Sequence, residues 1–579
     1  MHDHEKSDRP VLPVKPPNKP GVPGAEVVEG RGLPEGNTAG ETRPGRSAGL
    51  GVSSDLDRVH EVARKDRDVR FTALLHHVSV DRLREAYRAI SPNAAPGVDG
   101  VTWRDYGLDL EANLRDLHAR VQRGAYRAMP ARRVFIPKTD GRLRPLGVAA
   151  LEDKIVQRAV VEVLNAVYEQ DFLGFSYGFR PGRSQHEALD ALWVAIASKK
   201  VNYVLDADIS DFFGSLEQSW LLRFLEHRIA DKRVLRLIQK WLAAGVIEDG
   251  EWSQTEAGTA QGASVSPLLS NVYLHYVFDL WADQWRRRNA RGDVVLVRFA
   301  DDYVAGFEHR EDAERFLVDL RERFAKFALE LHPEKTRLIE FGRFAAPNRA
   351  RRGERKPETF TFLGFTHICA KDRHGRFKLR RVTSKKKMHA KLTSVKTEMR
   401  RRMHNSIPEQ GRWLARVLQG HSNYYAVPDN SEALRAFRRR VIWHWRGALT
   451  RRSQKGRITW QRMDALAARW LPEPRIVHPW PNQRFDAKTR GRSPVRKRAR
   501  WDLCGGRRAT GVPTAIVPAD GVAAAHSFWA VPTWVGRQQS YRELAAVHRL
   551  MSGLPRDMGV RRRARGRGRR VPGGCGSCV

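Results

Sequence analysis

Two stretches of the chain place acids inside β-forming sequence, where they could hold a cation. Val294–Phe307 carries the adjacent pair Asp301-Asp302 between two runs rich in Val, Phe and Tyr. Such flanks predict a hairpin with the two acids at its tip. Side chains alternate along a strand, yet at a turn two neighbours can reach one site. Alone, the pair reads as an ordinary Asp-containing turn. Tyr203–Phe213 changes that reading, because Asp206, Asp208 and Asp211 interrupt a second hydrophobic run. The period of two puts Asp206 and Asp208 on one face. Burying acids there is costly unless they are paired or hold a cation. Carboxylates from two strands are hard oxygen ligands of the kind Mg²⁺ takes. Two such ions, about 3.5–4 Å apart, would stabilise both oxygens of an in-line phosphoryl displacement.

Other segments could surround that site. Arg133–Gly147 reads as a hairpin turning at Asp140-Gly141, with Lys138 and Arg144 beside the turn. Ala257–Asn271 is a small-residue loop leading into an apolar helix, and small residues let a backbone approach a ligand closely. Gly174–Ser184 interleaves aromatics with Arg180 and Arg183, a mixture suited to base stacking and phosphate contact.

The elements that must position these residues are α+β in pattern. Residues 1–52 are rich in Pro and Gly and read as a disordered leader. From about Asp55 the spacing turns helical, for example at Leu74, Val78, Leu83 and Tyr87, until the turn at Gly97–Gly100. Residues 131–200 mix short strands, such as Arg133–Ile136, with a helix over Lys154–Val167. From 200 to 380 strands and helices alternate without a βαβ period, which points to α+β. Residues 385–475 read as all-helical, with one stripe at Met388, Leu392, Val395, Met399 and Met403 and another at Leu434, Phe437, Val441, Trp445 and Leu449.

The 579 residues carry 104 Lys plus Arg against 65 Asp plus Glu, a net charge of +39. The excess is uneven: residues 381–579 hold 44 basic and 11 acidic side chains, and the rest of the chain 60 and 54. A surplus gathered in one third of the chain suits a polyanion held by phosphate contacts and disfavours an enzyme of cationic or neutral metabolites. Cys369, Cys504, Cys575 and Cys578 are too few for a disulfide scaffold and fit a reducing compartment, so a cytoplasmic setting is expected. Cys575-Gly576-Ser577-Cys578 is one isolated pair, short of the four ligands of a structural zinc site. No run of about 18 apolar residues occurs, so no membrane span is expected. The first five residues lack the pattern of a signal peptide.

Taken in order, these blocks resemble the reverse transcriptase/maturases encoded by bacterial group II introns, over about residues 87–481. Phe299-Ala300-Asp301-Asp302 is similar to that family's Tyr-Ala-Asp-Asp signature, with Phe299 for the Tyr. The resemblance implies a right-hand polymerase. Its parts would be a disordered leader at 1–52, a helical extension at 53–130, fingers at 131–199, a palm at 200–380, a helical thumb/maturase domain at 381–482 and a basic, poorly ordered tail at 483–579.

It further implies that Asp208, Asp301 and Asp302, helped by the Ile209 carbonyl, hold two Mg²⁺ ions. Asp206 and Asp211 compete with Asp208, which is favoured because Phe213 follows five positions on, at the family's steric gate. Lys138 and Arg144 would clamp the triphosphate. Ala260-Gln261-Gly262 resembles the Pro-Gln-Gly block, where Gln261 and Gly262 lie beside the incoming base and template. Leu331–Thr336 resembles the block whose lysine, here Lys335, is a candidate proton donor to pyrophosphate, and Phe360–Phe365 resembles the primer grip. Arg180 and Arg183, with Tyr424 and Tyr425 of the block Gly420–Pro428, would contact RNA. The implied partners are the host intron RNA, a DNA target and primer, and dNTPs, in splicing and then in retromobility. An RNA-binding maturase without polymerase activity and a free-standing defence-type reverse transcriptase are the alternatives.

Overall fold

The computed structural model describes residues 50–137, 143–248, 251–253, 258, 262–452 and 457–484. Contacts divide the chain into Met1–Ala509 and Thr510–Val579, and every described residue lies in the first unit. The leader expected over 1–52 falls almost wholly outside the described residues, and so do the arginine-rich run Arg561–Arg570 and the cysteine pair near the C-terminus.

The first described elements are helices, Leu50–Lys65, Val80–Arg88 and Leu110–Gln122 among them. The helical spacing through Leu74 and Val78 is interrupted: only a short 3₁₀ turn, Leu75–His77, precedes the helix that begins at Val80. The break has a local cause. Asp231 accepts the backbone N–H of Leu74 (2.8 Å) and Leu75 (3.0 Å), and Ser79 caps the next helix. Leu74, Val78, Leu83 and Tyr87 are nevertheless all buried, so the spacing located core residues correctly.

Strands β1 (Ala131–Pro137) and β2 (Leu143–Val148) form an antiparallel hairpin. The helix that follows runs over Leu151–Asp171, longer at both ends than the expected Lys154–Val167. After the helix Gln185–Ser198 comes β3 (Tyr203–Ala207). Strands β4 (Val246–Glu248) and β5 (Glu251–Ser253) extend the first sheet to the order β2-β1-β4-β5.

The second sheet adds β6 (Val294–Phe299), β7 (Asp302–Phe307) and β8 (Arg337–Glu340) to β3, in the order β6-β7-β3-β8, with every pairing antiparallel. Its alternation explains where the acids lie. Val204, Val295, Val297, Val304 and Ile339 share one face and pack with Leu189, Leu192 and Ile196 of the helix Gln185–Ser198. Phe307 on the other face meets Phe316 of the helix Arg310–Ala325 at 5.3 Å between ring centres. By period and register, Asp206, Asp208 and Asp302 share the face of Val204 and Val304, just past the end of that apolar patch.

A third sheet, β9 (Phe360–Phe362), β10 (Phe365–Lys371) and β11 (Phe377–Thr383), packs into the same core through Phe360, Phe362, Phe365 and Leu379. Strand β11 ends three residues beyond the expected boundary at 380. Helices Lys385–Arg401, Ile407–Tyr425, Ser431–Thr450 and Trp460–Trp470 then build a separate core from Val395, Met399, Leu414, Phe437, Val441, Trp445 and Met463. Trp445 donates its indole N–H to Gln410 at 2.9 Å, which satisfies two polar groups inside that core. Among the described residues, no helix is long and apolar enough to cross a membrane.

Candidate active site

The acids come together as the alternation of strands requires. Strands β6 and β7 pair through Phe299 and Asp302, which leaves Ala300-Asp301 as a two-residue turn. Ala300 takes φ +57°, the left-handed region that such tight hairpins demand. Strand β3 pairs with β7 up to Ala207 opposite Tyr303. One step further, the register sets Asp208 beside Asp302, and directly opposed residues present their side chains on the same face.

The backbone beyond β3 is pinned from its other side. Asp208 O accepts from His332 N (2.9 Å), Ser210 N donates to Glu330 O (2.8 Å), and Ile209 bridges Leu331. In an antiparallel pair of this type the middle residue turns its own N–H and C=O the opposite way. The Ile209 carbonyl therefore points away from Leu331. The same pinning brings round the turn that carries Lys335, whose ammonium pairs with the Asp208 carboxylate.

Of the competing acids, Asp206 has a partner of its own and Asp211 is exposed at the mouth of a short helix. Asp206 lies opposite Arg337 on β8, with a 3.5 Å ion pair. Asp211 adopts φ +36° and its carbonyl accepts from Gly214 and Ser215, opening the short helix Phe212–Ser215. Phe213 sits in that helix, half-buried and edge-on to Phe212 at 5.4 Å.

Negative charge accumulates at this point. Asp302 keeps an exposed surface, but the protein packed around its carboxyl first, and then the charges of Asp301, Asp208 and Asp206, raise it to about 7. Burial and the Asp208 charge also raise Asp301, against which Arg144 and Lys335 act in the lowering direction. Arg144 thus belongs to the electrostatic surroundings of the turn. The donor set suits a hard divalent cation: carboxylate oxygens, a carbonyl and uncompensated charge. Among the described residues, no three acid, His or Cys side chains already close around one point. Asp208 is drawn toward Lys335, and a cation would have to gather the carboxylates that now repel one another.

The small-residue loop approaches from the side of the first sheet. Gly262, at φ +110°, lies against the Gly147 carbonyl of β2, where a Cβ would stand 2.8 Å from that oxygen. Gly258, at φ +85°, backs onto the Phe213 and Gly214 carbonyls. Lys138 and Gln261 lie outside the described residues.

Three of the residues expected to touch RNA make contacts within the protein. Arg180 is buried, and its guanidinium is taken up by Glu169, by the Leu173 and Ser176 carbonyls (both 2.8 Å) and by the Phe172 ring. It holds its own loop together. Tyr424 donates to the Leu363 carbonyl (2.8 Å), and both Tyr424 and Tyr425 pack on Phe365. They join the third sheet to the helical region and are half-buried there. Arg183 is half-buried, over the Tyr177 ring at 5.3 Å, and donates to Gly174 O. The exposed ring of the block is Phe179, 6.4 Å from Phe299.

Sequence reasoning passed over Arg298 and Asp279, a buried pair behind the turn. An arginine inside the apolar strand Val294–Phe299 and an acid in the apolar stretch Val272–Leu280 were the signal that could have found them, because lone buried charges need partners.

A family model for the reverse transcriptase (RNA-dependent DNA polymerase) matches residues 136–367. Protein YkfC of Escherichia coli K12 is 34% identical over 276 residues, which span 42% of this chain and 72% of that protein. The group II intron-encoded protein LtrA of Lactococcus lactis is 31% identical over 222 residues, 38% of this chain and 37% of LtrA. An uncharacterized 91 kDa protein in the cob intron of Schizosaccharomyces pombe is 34% identical over 189 residues, 32% of this chain and 23% of that protein. The chain thus spans well under half of the two intron-encoded relatives. The matched segment runs from the end of β1 into β10 and contains every acid of the cleft, so the chain belongs to the reverse transcriptase family, in its group II intron-encoded reverse transcriptase/maturase class.

Proposed function

We propose that the chain is an RNA-directed DNA polymerase that extends a DNA primer on its intron RNA, with the β6-β7-β3-β8 sheet as palm, the β1–β2 hairpin in the fingers and the helices after Ser384 as thumb and maturase region. The observation that carries this reading is the meeting of Asp208 and Asp302 in register, with Asp301 at the turn and Lys335 beside Asp208. Two Mg²⁺ ions held by Asp208, Asp301, Asp302 and the Ile209 carbonyl would, when bound, stabilise the attacking and leaving oxygens of in-line phosphoryl transfer.

The chain's own residues do the rest. Arg144, with Lys138, neutralises the triphosphate. Lys335 Nζ, next to Asp208, carries a proton that the departing pyrophosphate can take. Phe213 packs under the sugar and excludes a 2′-hydroxyl, so dNTPs are the substrates. Gly262 lets the loop backbone lie close to the nascent base pair, a role that the family resemblance also assigns to Gln261. The helical region supplies the intron RNA contact: residues 381–480 hold 23 basic and 6 acidic side chains, with Trp443 and Trp460 exposed among them.

A maturase that only binds RNA would have no use for uncompensated acids in a cleft where phosphates lie. The test is primer extension on an RNA template with Asp301→Ala. DNA synthesis is abolished while RNA binding stays at the wild-type level; wild-type extension by that variant would refute the assignment.

A further inference from the structure

Behind the catalytic turn lies a charged pair with almost no exposure. Arg298 is 1% exposed and Asp279 is fully enclosed. The guanidinium grips the carboxylate with both arms, Nε to Oδ1 at 2.7 Å and Nη2 to Oδ2 at 2.6 Å. Its other donors go to Ser176 Oγ (2.7 Å), Asn271 Oδ1 (3.0 Å) and the Ala300 carbonyl (2.9 Å). All five N–H groups of the side chain therefore have acceptors.

Stability does not account for such a pair, since buried ion pairs are often replaceable by apolar residues at little or no loss. Two local features indicate another purpose. Asp279 closes a five-residue π-helical turn, His275–Asp279, a rare irregularity that tends to mark functional sites. Ala300 holds a left-handed conformation that costs an L-residue about 1–2 kcal/mol. Its carbonyl is fixed by Arg298 from one side, and Gly178 lies against its amide from another. Asn271 ties these together, accepting from Arg298 and donating to Gly178 O at 2.7 Å. The next residue along the chain is Asp301.

We propose that Arg298, braced by Asp279, is a positioning residue that fixes the Ala300-Asp301 turn and thereby sets the affinity of the acid cluster for divalent metal. The inference rests on the reading of that cluster as a metal site.

The test is Mn²⁺ binding to the metal-free protein, followed by electron paramagnetic resonance, beside the Mg²⁺ dependence of primer extension. Arg298→Lys keeps the charge but has three donors for four acceptor groups. Its Mn²⁺ dissociation constant rises about 10-fold, as when a group orienting a metal ligand is lost. The Mg²⁺ half-saturation for extension rises in parallel, while kcat at saturating Mg²⁺ changes far less. Asn271→Ala leaves the ion pair whole but removes both the acceptor of one Arg298 N–H and the donor to Gly178 O, and gives a shift of at least about 3-fold. Wild-type Mn²⁺ affinity in folded Arg298→Lys overturns the proposal. If that variant does not fold, unshifted binding by Asn271→Ala overturns it. A wild-type protein that takes up no Mn²⁺ overturns the metal reading, and this inference with it.

Discussion

Gly178→Ala is a sharp perturbation, because it adds one methyl group behind the catalytic turn and touches no acid. The Gly178 backbone is not in the left-handed region, so alanine is compatible with its dihedral angles. Space is the obstacle. A Cβ there would overlap the Ala300 amide nitrogen, and it would stand 2.9 Å from the Phe299 carbonyl carbon and 3.0 Å from Ala300 Cα. All three are backbone atoms of the turn, and carbon contacts settle near 3.5–4.0 Å, so the turn must move by on the order of 1 Å. Overpacking of this kind costs about 1–3 kcal/mol of stability. A displacement of about 1 Å at reacting groups costs about 100-fold in rate. Single-turnover primer extension with Gly178→Ala is therefore expected to fall by about two orders of magnitude, with a Tm lowered by a few degrees. Wild-type extension by the folded variant would refute the argument that the close approach of Gly178 sets the position of the Ala300-Asp301 turn.

Further outcomes follow from neighbouring contacts. Phe213→Val opens the floor under the sugar and raises incorporation of rNTPs relative to dNTPs by at least about 10-fold, measured by competitive extension. Tyr424→Phe removes the bond to Leu363 O and destabilises the fold by about 1 kcal/mol in denaturant unfolding, with RNA affinity unchanged; weakened RNA binding would restore Tyr424 to the RNA surface. The raised Asp302 carboxyl gives a pH signature. Between its unfolded value near 4 and its folded value of about 7, the native state binds more protons, so metal-free stability falls as pH rises through that window. Asp302→Asn flattens this slope in thermal melts, and a slope unchanged in the variant would place its origin elsewhere.

The sequence was most legible where side-chain period alone decides geometry. Asp206 and Asp208 on one face and the helical stripes through Val395 and Phe437 follow from it, whereas the hairpin turn falls at Ala300-Asp301 with Asp302 already in β7, and Met403 lies beyond the helix that carries its stripe. Burial was harder to read. Arg180 and the Tyr424-Tyr425 pair have the residue types of an RNA surface, but their partners, Glu169 and the Leu363 carbonyl, come from other elements that local pattern cannot bring near. Competition between acids was half legible. Phe213 favoured Asp208, whereas the partner that occupies Asp206 is Arg337, more than a hundred residues away across the sheet. The Arg298–Asp279 pair went unread for the same reason, although an arginine in one apolar run and an acid in another were both visible.

The most direct measurement is anomalous diffraction from the protein crystallised with Mn²⁺, an RNA template, a DNA primer and a non-hydrolysable dNTP. If the three acids hold the metals, two peaks about 3.5–4 Å apart are expected. Asp208, Asp301 and Asp302 oxygens would lie about 2.0–2.3 Å from them, with the nucleotide phosphates completing the shell. Peaks bound elsewhere, or a nucleotide seated in the cleft with those three carboxylates still apart, would contradict it.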